Sequence, residues 1–296
     1  MTQFELKMKD NLKIKGLIYE PKKIVGVVLI VHGMCEHKER YIEFLKFLSN
    51  NGYVCVVYDQ RGHGQSIRKE EELGYFGNNK NVLVDDLDAI VNYLKKKYNK
   101  VPLILFGHSM GSLVARSYLQ KHDDKINKLI LCGTPTYNPL SKIAIILSNM
   151  VCFIKGDKKR SKLLNSLSVG AYNKGFDINN AWLSYNKSNV EEYNKDDLCG
   201  FMFTNNGFNM LFHLLDDVFK VKEYYVKNKN LPILIIGGSD DPVIGGKNKF
   251  DNLYDFFAKL GYINVSKKLY SKMRHEILNE KNSIKVYKDI KNFLSK

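Results

Sequence analysis

The sequence predicts an α/β protein: a mostly parallel central sheet flanked by helices, with a helical segment inserted between two of its strands. Three observations carry that expectation. Five apolar runs rich in β-branched residues each end at a Gly or an Asp, helix-period segments alternate with them, and the alternation stops between Pro135 and about Asn230. A continuous rather than alternating apolar run means that both faces of a strand are covered, as in a buried parallel sheet.

The runs fall at residues 24–31, 53–58, 101–106, 128–132 and 231–236, with a more polar strand at 265–270. Between them, helices are expected at 39–48, 82–98, 111–120 and 247–260. Strand–helix alternation of this kind builds a doubly wound sheet. Two short runs at 4–8 and 12–19 suit an antiparallel hairpin on its edge. The chain is expected to divide into a core of residues 1–134 and 231–296 and a helical cap, or lid, of residues 135–230. Leaving and re-entering the sheet there, the cap would lie over the C-terminal strand ends, where such sheets bind ligands.

Composition narrows the function classes. With 296 residues, 44% hydrophobic and 12% aromatic, the chain can bury a large core, which excludes disorder and stapled miniature folds. Lys and Arg number 46 against 31 Asp and Glu, for a net charge of +15, yet only six of the basic residues are Arg. The Lys is scattered, so nucleic acid is not an expected partner, although a basic surface favours anionic membranes. Five unpaired, widely spaced cysteines fit a reducing compartment. The N-terminus lacks a signal peptide's apolar core, and the apolar stretch 143–154 is too short to span a bilayer. A cytoplasmic protein, peripheral to membranes at most, is expected.

The chemistry is concentrated in Gly107-His108-Ser109-Met110-Gly111, which follows a buried strand and opens a helix. This G-x-S-x-G pattern in a strand–turn–helix setting thrusts a serine above the sheet and points the next backbone N–H at a developing oxyanion. A serine needs a base. Of seven histidines, His32, His37 and His63 lie in or beside glycine-containing turns, His108 lies inside the elbow, His122 ends a helix and His213 sits among apolar cap residues. His275 alone comes late, after the last strand, and is the expected base. The orienting acid is expected after the strand ending at Ile236, at Asp241 rather than Asp240, because Asp241 directly precedes Pro242. His32-Gly33-Met34, at another strand end, can offer the Met34 N–H as a second oxyanion donor. Asp59-Gln-Arg-Gly-His-Gly-Gln-Ser66 lacks phosphate-loop spacing and is expected to brace these loops.

Together with Glu36-His37 and Gly238-Ser-Asp-Asp241, these motifs resemble the monoacylglycerol lipase and lysophospholipase branch of the α/β-hydrolases, over roughly residues 25–295. The resemblance implies an α/β-hydrolase fold and a Ser109–Asp241–His275 triad with the Met34 and Met110 amides as oxyanion hole. It further implies a polar head-group pocket of Glu36, Arg40 and Tyr193, with which His108 is grouped. Asp197 stands where the family often has Pro, and Leu278 where some relatives carry a second histidine. The expected activity is hydrolysis of single-chain lipid esters, monoacylglycerols first and lysophospholipids or other carboxylic esters second, with neither metal nor cofactor. Two rivals are weaker: an aminopeptidase would need carboxylates to hold a free amine, and a silent lipid-binding scaffold should lack a triad member. In the cap, 143–154 followed by Lys155, Lys158, Lys159 and Arg160 suits a membrane interface as well as internal packing. Phe201, Met202, Phe203, Phe208, Met210, Leu211 and Phe212 are candidates for an acyl channel.

Overall fold

The computed structural model describes residues 1–296. In chain order the elements are β1 (Thr2–Lys7), β2 (Lys13–Tyr19), β3 (Gly26–Val31), α1 (Ile42–Ser49), β4 (Tyr53–Tyr58), α2 (Val82–Lys97), β5 (Leu103–His108), α3 (Met110–His122) and β6 (Lys128–Cys132). Four helices follow, α4 (Ser141–Lys155), α5 (Lys162–Leu167), α6 (Lys187–Lys195) and α7 (Asn205–Asp217), before β7 (Ile233–Gly238), α8 (Lys247–Lys259), β8 (Val265–Tyr270) and α9 (Ser283–Leu294).

All eight strands join one sheet in the order β1-β2-β4-β3-β5-β6-β7-β8. From β4 through β8 the pairing is parallel, while β1 and β2 form the antiparallel edge. Every residue of β3, β4, β5 and β7 is buried, as expected where helices cover both faces. One apolar cluster packs α2, α3 and α8 against the sheet, and a second packs α1 and α9 on the opposite side.

The observed strands begin or end within two residues of the expected runs. A difference falls at 39–48, where the first turn, Lys38–Tyr41, is a 3₁₀ helix that leads into α1. Helix α9 is not among the expected elements. Its Val286, Tyr287, Ile290 and Leu294 are buried, but Lys residues interleaved at 281–291 dilute the apolar periodicity in the sequence. The segment between β6 and β7 carries α4–α7, and its residues Leu140, Ile143, Leu167 and Trp182 help to line a cavity of about 440 Å³, together with residues just beyond the ends of β3 and β5.

Candidate active site

Ser109 stands between the last residue of β5 and the first of α3, with φ 50° and ψ −120°. A positive φ is costly for a residue with a side chain and persists only where the surroundings impose it. Here the Ser109 N–H donates to the Cys132 carbonyl at 2.9 Å, and the flanking glycines make room for the turn. A Cβ on Gly107 would stand 2.7 Å from the Gly111 carbonyl oxygen, and one on Gly111 would run into the Val31 and His32 carbonyls. Met110 opens α3, so its N–H belongs to the first turn of a helix, which has no acceptor four residues back. Gly33, just ahead of Met34, is so close to the elbow that a Cβ there would lie 3.2 Å from Ser109 Cβ. Ser109, Met34 and Met110 all face one cavity of about 440 Å³.

His275 faces the same cavity. Its Nδ1 lies 2.9 Å from Asp241 Oδ2, and the second Asp241 oxygen accepts the Val243 N–H at 2.8 Å. Asp241 is 2% exposed. Asp240 is turned outward instead, accepting from the Tyr185 hydroxyl at 2.8 Å and the Ser239 hydroxyl at 2.7 Å. The His275 ring is held by the His108 ring, 4.8 Å away between centroids, and by Trp182 at 5.2 Å. It also lies against Gly133, where a Cβ would come within 3.0 Å of its Nδ1.

Glu36 is buried behind the elbow. Its Oε1 accepts from the Gly33 N–H and from the Tyr41 hydroxyl, the latter at 2.8 Å, and lies 3.1 Å from His108 Nδ1. Burial raises the cost of charge on both Glu36 and His108, but their hydrogen bond and mutual attraction outweigh it. The Glu36 carboxyl is held below its usual range and the His108 imidazole above its own. The two groups thus stabilise each other beneath the elbow. Arg40 does not line the cavity; it bonds Glu276 at 2.6 Å and Asn189 at 2.9 Å, with its guanidinium 4.9 Å from the Tyr193 ring centre. Tyr193 does line it, while its hydroxyl donates to the Cys35 carbonyl at 2.9 Å. Two buried nitrogens on the cavity wall, His108 Nε2 and Trp182 Nε1, have no hydrogen-bond partner within the protein.

The glycine-rich turn after β4 braces this loop from below. Gln60 donates its N–H to His32 Nε2 at 2.9 Å, and Asp59 accepts from the Lys38 backbone at 2.9 Å and its Nζ at 2.7 Å. Of the apolar candidates at 201–212, Phe201, Leu211 and Phe212 reach the cavity, whereas Phe203, Phe208 and Met210 are packed into the core. Sequence reasoning missed Trp182 and Glu276. The first is the only Trp of the chain and the second directly follows His275, but neither carries a periodic or motif signal of its own.

A serine at a strained strand–helix elbow and a buried His–Asp pair, facing one cavity above an eight-stranded, mostly parallel sheet, define the α/β-hydrolase class. The family model Hydrolase_4, described as serine aminopeptidase, S33, matches residues 22–282, and the chain belongs to that family. Among curated relatives, the monoglyceride lipase of Rattus norvegicus is 31% identical over 233 residues, covering 76% of this chain and 68% of the relative. A probable lysophospholipase L2 of Haemophilus influenzae is 26% identical over 99% of this chain and 92% of its own. A thermostable carboxyl esterase from Bacillus coagulans, solved with glycerol, superposes with a TM-score of 0.90 at 23% identity, over 100% of this chain and 98% of that one. Within this family the chain is an ester hydrolase.

Proposed function

We propose that the protein hydrolyses carboxylic esters of single-chain lipids, with monoacylglycerols as the preferred class, through Ser109, His275 and Asp241. Ser109 Oγ attacks the ester carbonyl as His275 Nε2 takes its proton, and the Met34 and Met110 N–H groups hold the oxyanion. His275 returns the proton to the departing alcohol. Water, deprotonated by the same nitrogen, then releases the fatty acid from Ser109. Asp241 keeps the His275 tautomer and stabilises the imidazolium without taking the proton itself.

The observation that carries this reading is the His275–Asp241 bond on the wall of the cavity that Ser109 faces. The cavity's size is in the range of small-ligand sites. Leu140, Ile143, Leu147, Leu211 and Leu215 supply an apolar wall for an acyl chain, and residues 135–230 act as the cap over it. At the polar end, His108 Nε2 and the donor Trp182 Nε1 are unpartnered and available to the head group, beside Glu36 and Tyr193. Arg40 contributes from behind, by fixing Glu276 and Tyr193. The same arrangement disfavours an aminopeptidase. Both carboxylates on the wall already have partners, Glu36 in His108 and Arg40, and Glu276 in Arg40, and leave no free anion for a substrate amine.

Fatty-acid release from monoacylglycerols of several chain lengths, set against lysophosphatidylcholine, tests the proposal, with Ser109→Ala as the blank. Faster monoacylglycerol turnover is expected. Preference for the lysophospholipid would shift the reading to a lysophospholipase. Turnover of neither, with Ser109 still labelled by a fluorophosphonate, would retain the triad and discard the substrate class.

A further inference from the structure

Three side chains outside the catalytic constellation, one from the loop after β3 and two from the loop after α6, converge on a single point. A ring nitrogen of His37, a carboxylate oxygen of Asp196 and the sulfur of Cys199 all lie within 4.8 Å of one another. His37 Nε2 is 2.8 Å from Asp196 Oδ2, while Nδ1, on the other side of the ring, is 2.5 Å from Glu39 Oε2. His37 and Cys199 are buried, and Asp196 is half-buried, open enough to admit an ion. A histidine with one nitrogen turned to a ligand cluster and the other held by a carboxylate has the usual arrangement of a metal-binding imidazole. We propose that His37, Asp196 and Cys199 bind one divalent cation of the zinc class.

The chemistry of the donors selects that class. A thiolate with an imidazole favours Zn²⁺ or Co²⁺ over Mg²⁺ or Ca²⁺, which take all-oxygen sites. Neutral imidazole, carboxylate and thiolate together carry two negative charges, balancing M²⁺. Binding expels the proton shared between His37 and Asp196 and the thiol proton of Cys199. Zinc bonds of about 2.0–2.3 Å require ligand atoms roughly 3.3–3.8 Å apart, so the Nε2–Oδ2 contact opens slightly, and the sulfur, already within 4.8 Å of both, needs only a small adjustment. The cations nearby are already engaged, Lys38 by Asp59 and Glu39, and Arg40 by Glu276 and Glu36.

A cation here would pin the loop between α6 and α7 to the loop that carries Met34. That junction already exists in weaker form: the Gly200 N–H and the Tyr193 hydroxyl both donate to the Cys35 carbonyl at 2.9 Å. The metal is therefore a clamp on the cap's attachment, and it does not depend on the identity of the ester substrate.

The test is Co²⁺ titration of the chelator-stripped full chain, kept reduced with a phosphine. Saturation at one equivalent is expected, with intense visible bands of a tetrahedral site and a near-ultraviolet thiolate-to-cobalt band. Zn²⁺ should abolish the spectrum by displacement and raise Tm, and Mg²⁺ should do neither. Cys199→Ser should remove the near-ultraviolet band, and Asp196→Asn should weaken binding at least tenfold. Absence of a thiolate band in the unmutated chain, or a band that survives Cys199→Ser, would overturn the site. Should Cys199→Ser not fold, His37→Gln decides the question in the same way, because a spectrum unchanged by that variant rejects the proposal.

Discussion

His275 and Asp241 lie 34 residues apart and meet through a 2.9 Å contact, while Asp240, one residue away, is held by Tyr185 and Ser239 at the surface. The two adjacent carboxylates thus have opposite environments. Asp241→Asn would leave His275 without the acceptor that fixes its tautomer, and a loss of about 10³–10⁴ in kcat is expected. Asp240→Asn should stay near the parent. Rates on a soluble short-chain ester, with Tm measured for both variants, check this; comparable losses in the two would contradict the pairing.

Glu36 joins the Gly33 amide, Tyr41, His108 and Arg40, which makes it a brace for the loop that carries Met34 as well as part of the cavity wall. Glu36→Gln removes the charge that balances a buried His108 and Arg40. Breaking such a buried pair costs about 3–5 kcal/mol. Both Tm and kcat should fall, on long and short esters alike. A variant that raised only KM for monoacylglycerol, at unchanged Tm, would assign Glu36 to head-group contact alone.

Backbone packing at the elbow makes a sharper forecast. The α-carbon of Gly111 faces the Val31 and His32 carbonyls so closely that even a methyl would be forced into them. Rigid backbone cannot yield as a flexible side chain does, and overpacking costs typically about 1–3 kcal/mol or more. Gly111→Ala should lose Tm and activity together, with reduced fluorophosphonate labelling of Ser109. A fully folded, fully active Gly111→Ala would show that α3 does not approach β3 as described.

Much of this was legible in the chain, for identifiable reasons. Strands β3 to β7 could be read because burial on both faces leaves unbroken apolar runs. Ser109 could be read because its strained turn demands glycines at fixed offsets. Helix α9 was not, since one buried stripe among lysines is a weak periodic signal. The contacts of Trp182 with His275, of Arg40 with Glu276 and of His37 with Asp196 join residues 93, 236 and 159 positions apart. No local pattern encodes such contacts: those of Trp182 and Asp196 form only once the segment between β6 and β7 has docked, and that of Arg40 only once the loops after β3 and β8 have met. Of the aromatic residues at 201–212, hydrophobicity alone could not separate those facing the cavity from those in the core.

Acid should weaken the fold through His63. Its ring is buried against Phe76, Phe201 and Phe203, with Nδ1 3.1 Å from the Arg61 carbonyl. Burial, helped by the neighbouring His32, depresses its pKa to about 3. In the unfolded chain a histidine titrates near its ordinary value of about 6.5 and takes up its proton first. Between about pH 6.5 and 3 the unfolded state therefore holds more protons, so stability falls as pH is lowered. Each tenfold difference in proton affinity between the two states corresponds to about 1.4 kcal/mol. Urea midpoints measured from about pH 7.5 to 4.5 should decline, and His63→Phe should flatten part of that decline. An identical slope in the variant would exclude His63 as the titrating group.

Helix α4 is amphipathic in an inverted sense. Its buried face is Ser141, Ala144 and Ser148, with Asn209 of α7 donating to the Ser148 hydroxyl at 2.8 Å. The large residues Ile146, Met150 and Phe153, spaced four and three apart, point outward instead, and Phe153 is 92% exposed. An apolar outer stripe followed by Lys155, Lys158 and Lys159 has the composition of a helix that lies in a lipid interface, and we propose vesicle binding as its test. Anionic lipid adds attraction for the lysines, screened as ionic strength rises. Since burying one Phe is worth about 1.5–3 kcal/mol, Phe153→Glu should reduce sedimentation with phosphatidylglycerol-containing vesicles by at least tenfold. Hydrolysis of monoacylglycerol presented in those vesicles should fall with it. A soluble short-chain ester should be turned over as before, because Phe153 does not reach the cavity. Equal sedimentation of variant and parent would mean that the stripe packs against something other than lipid.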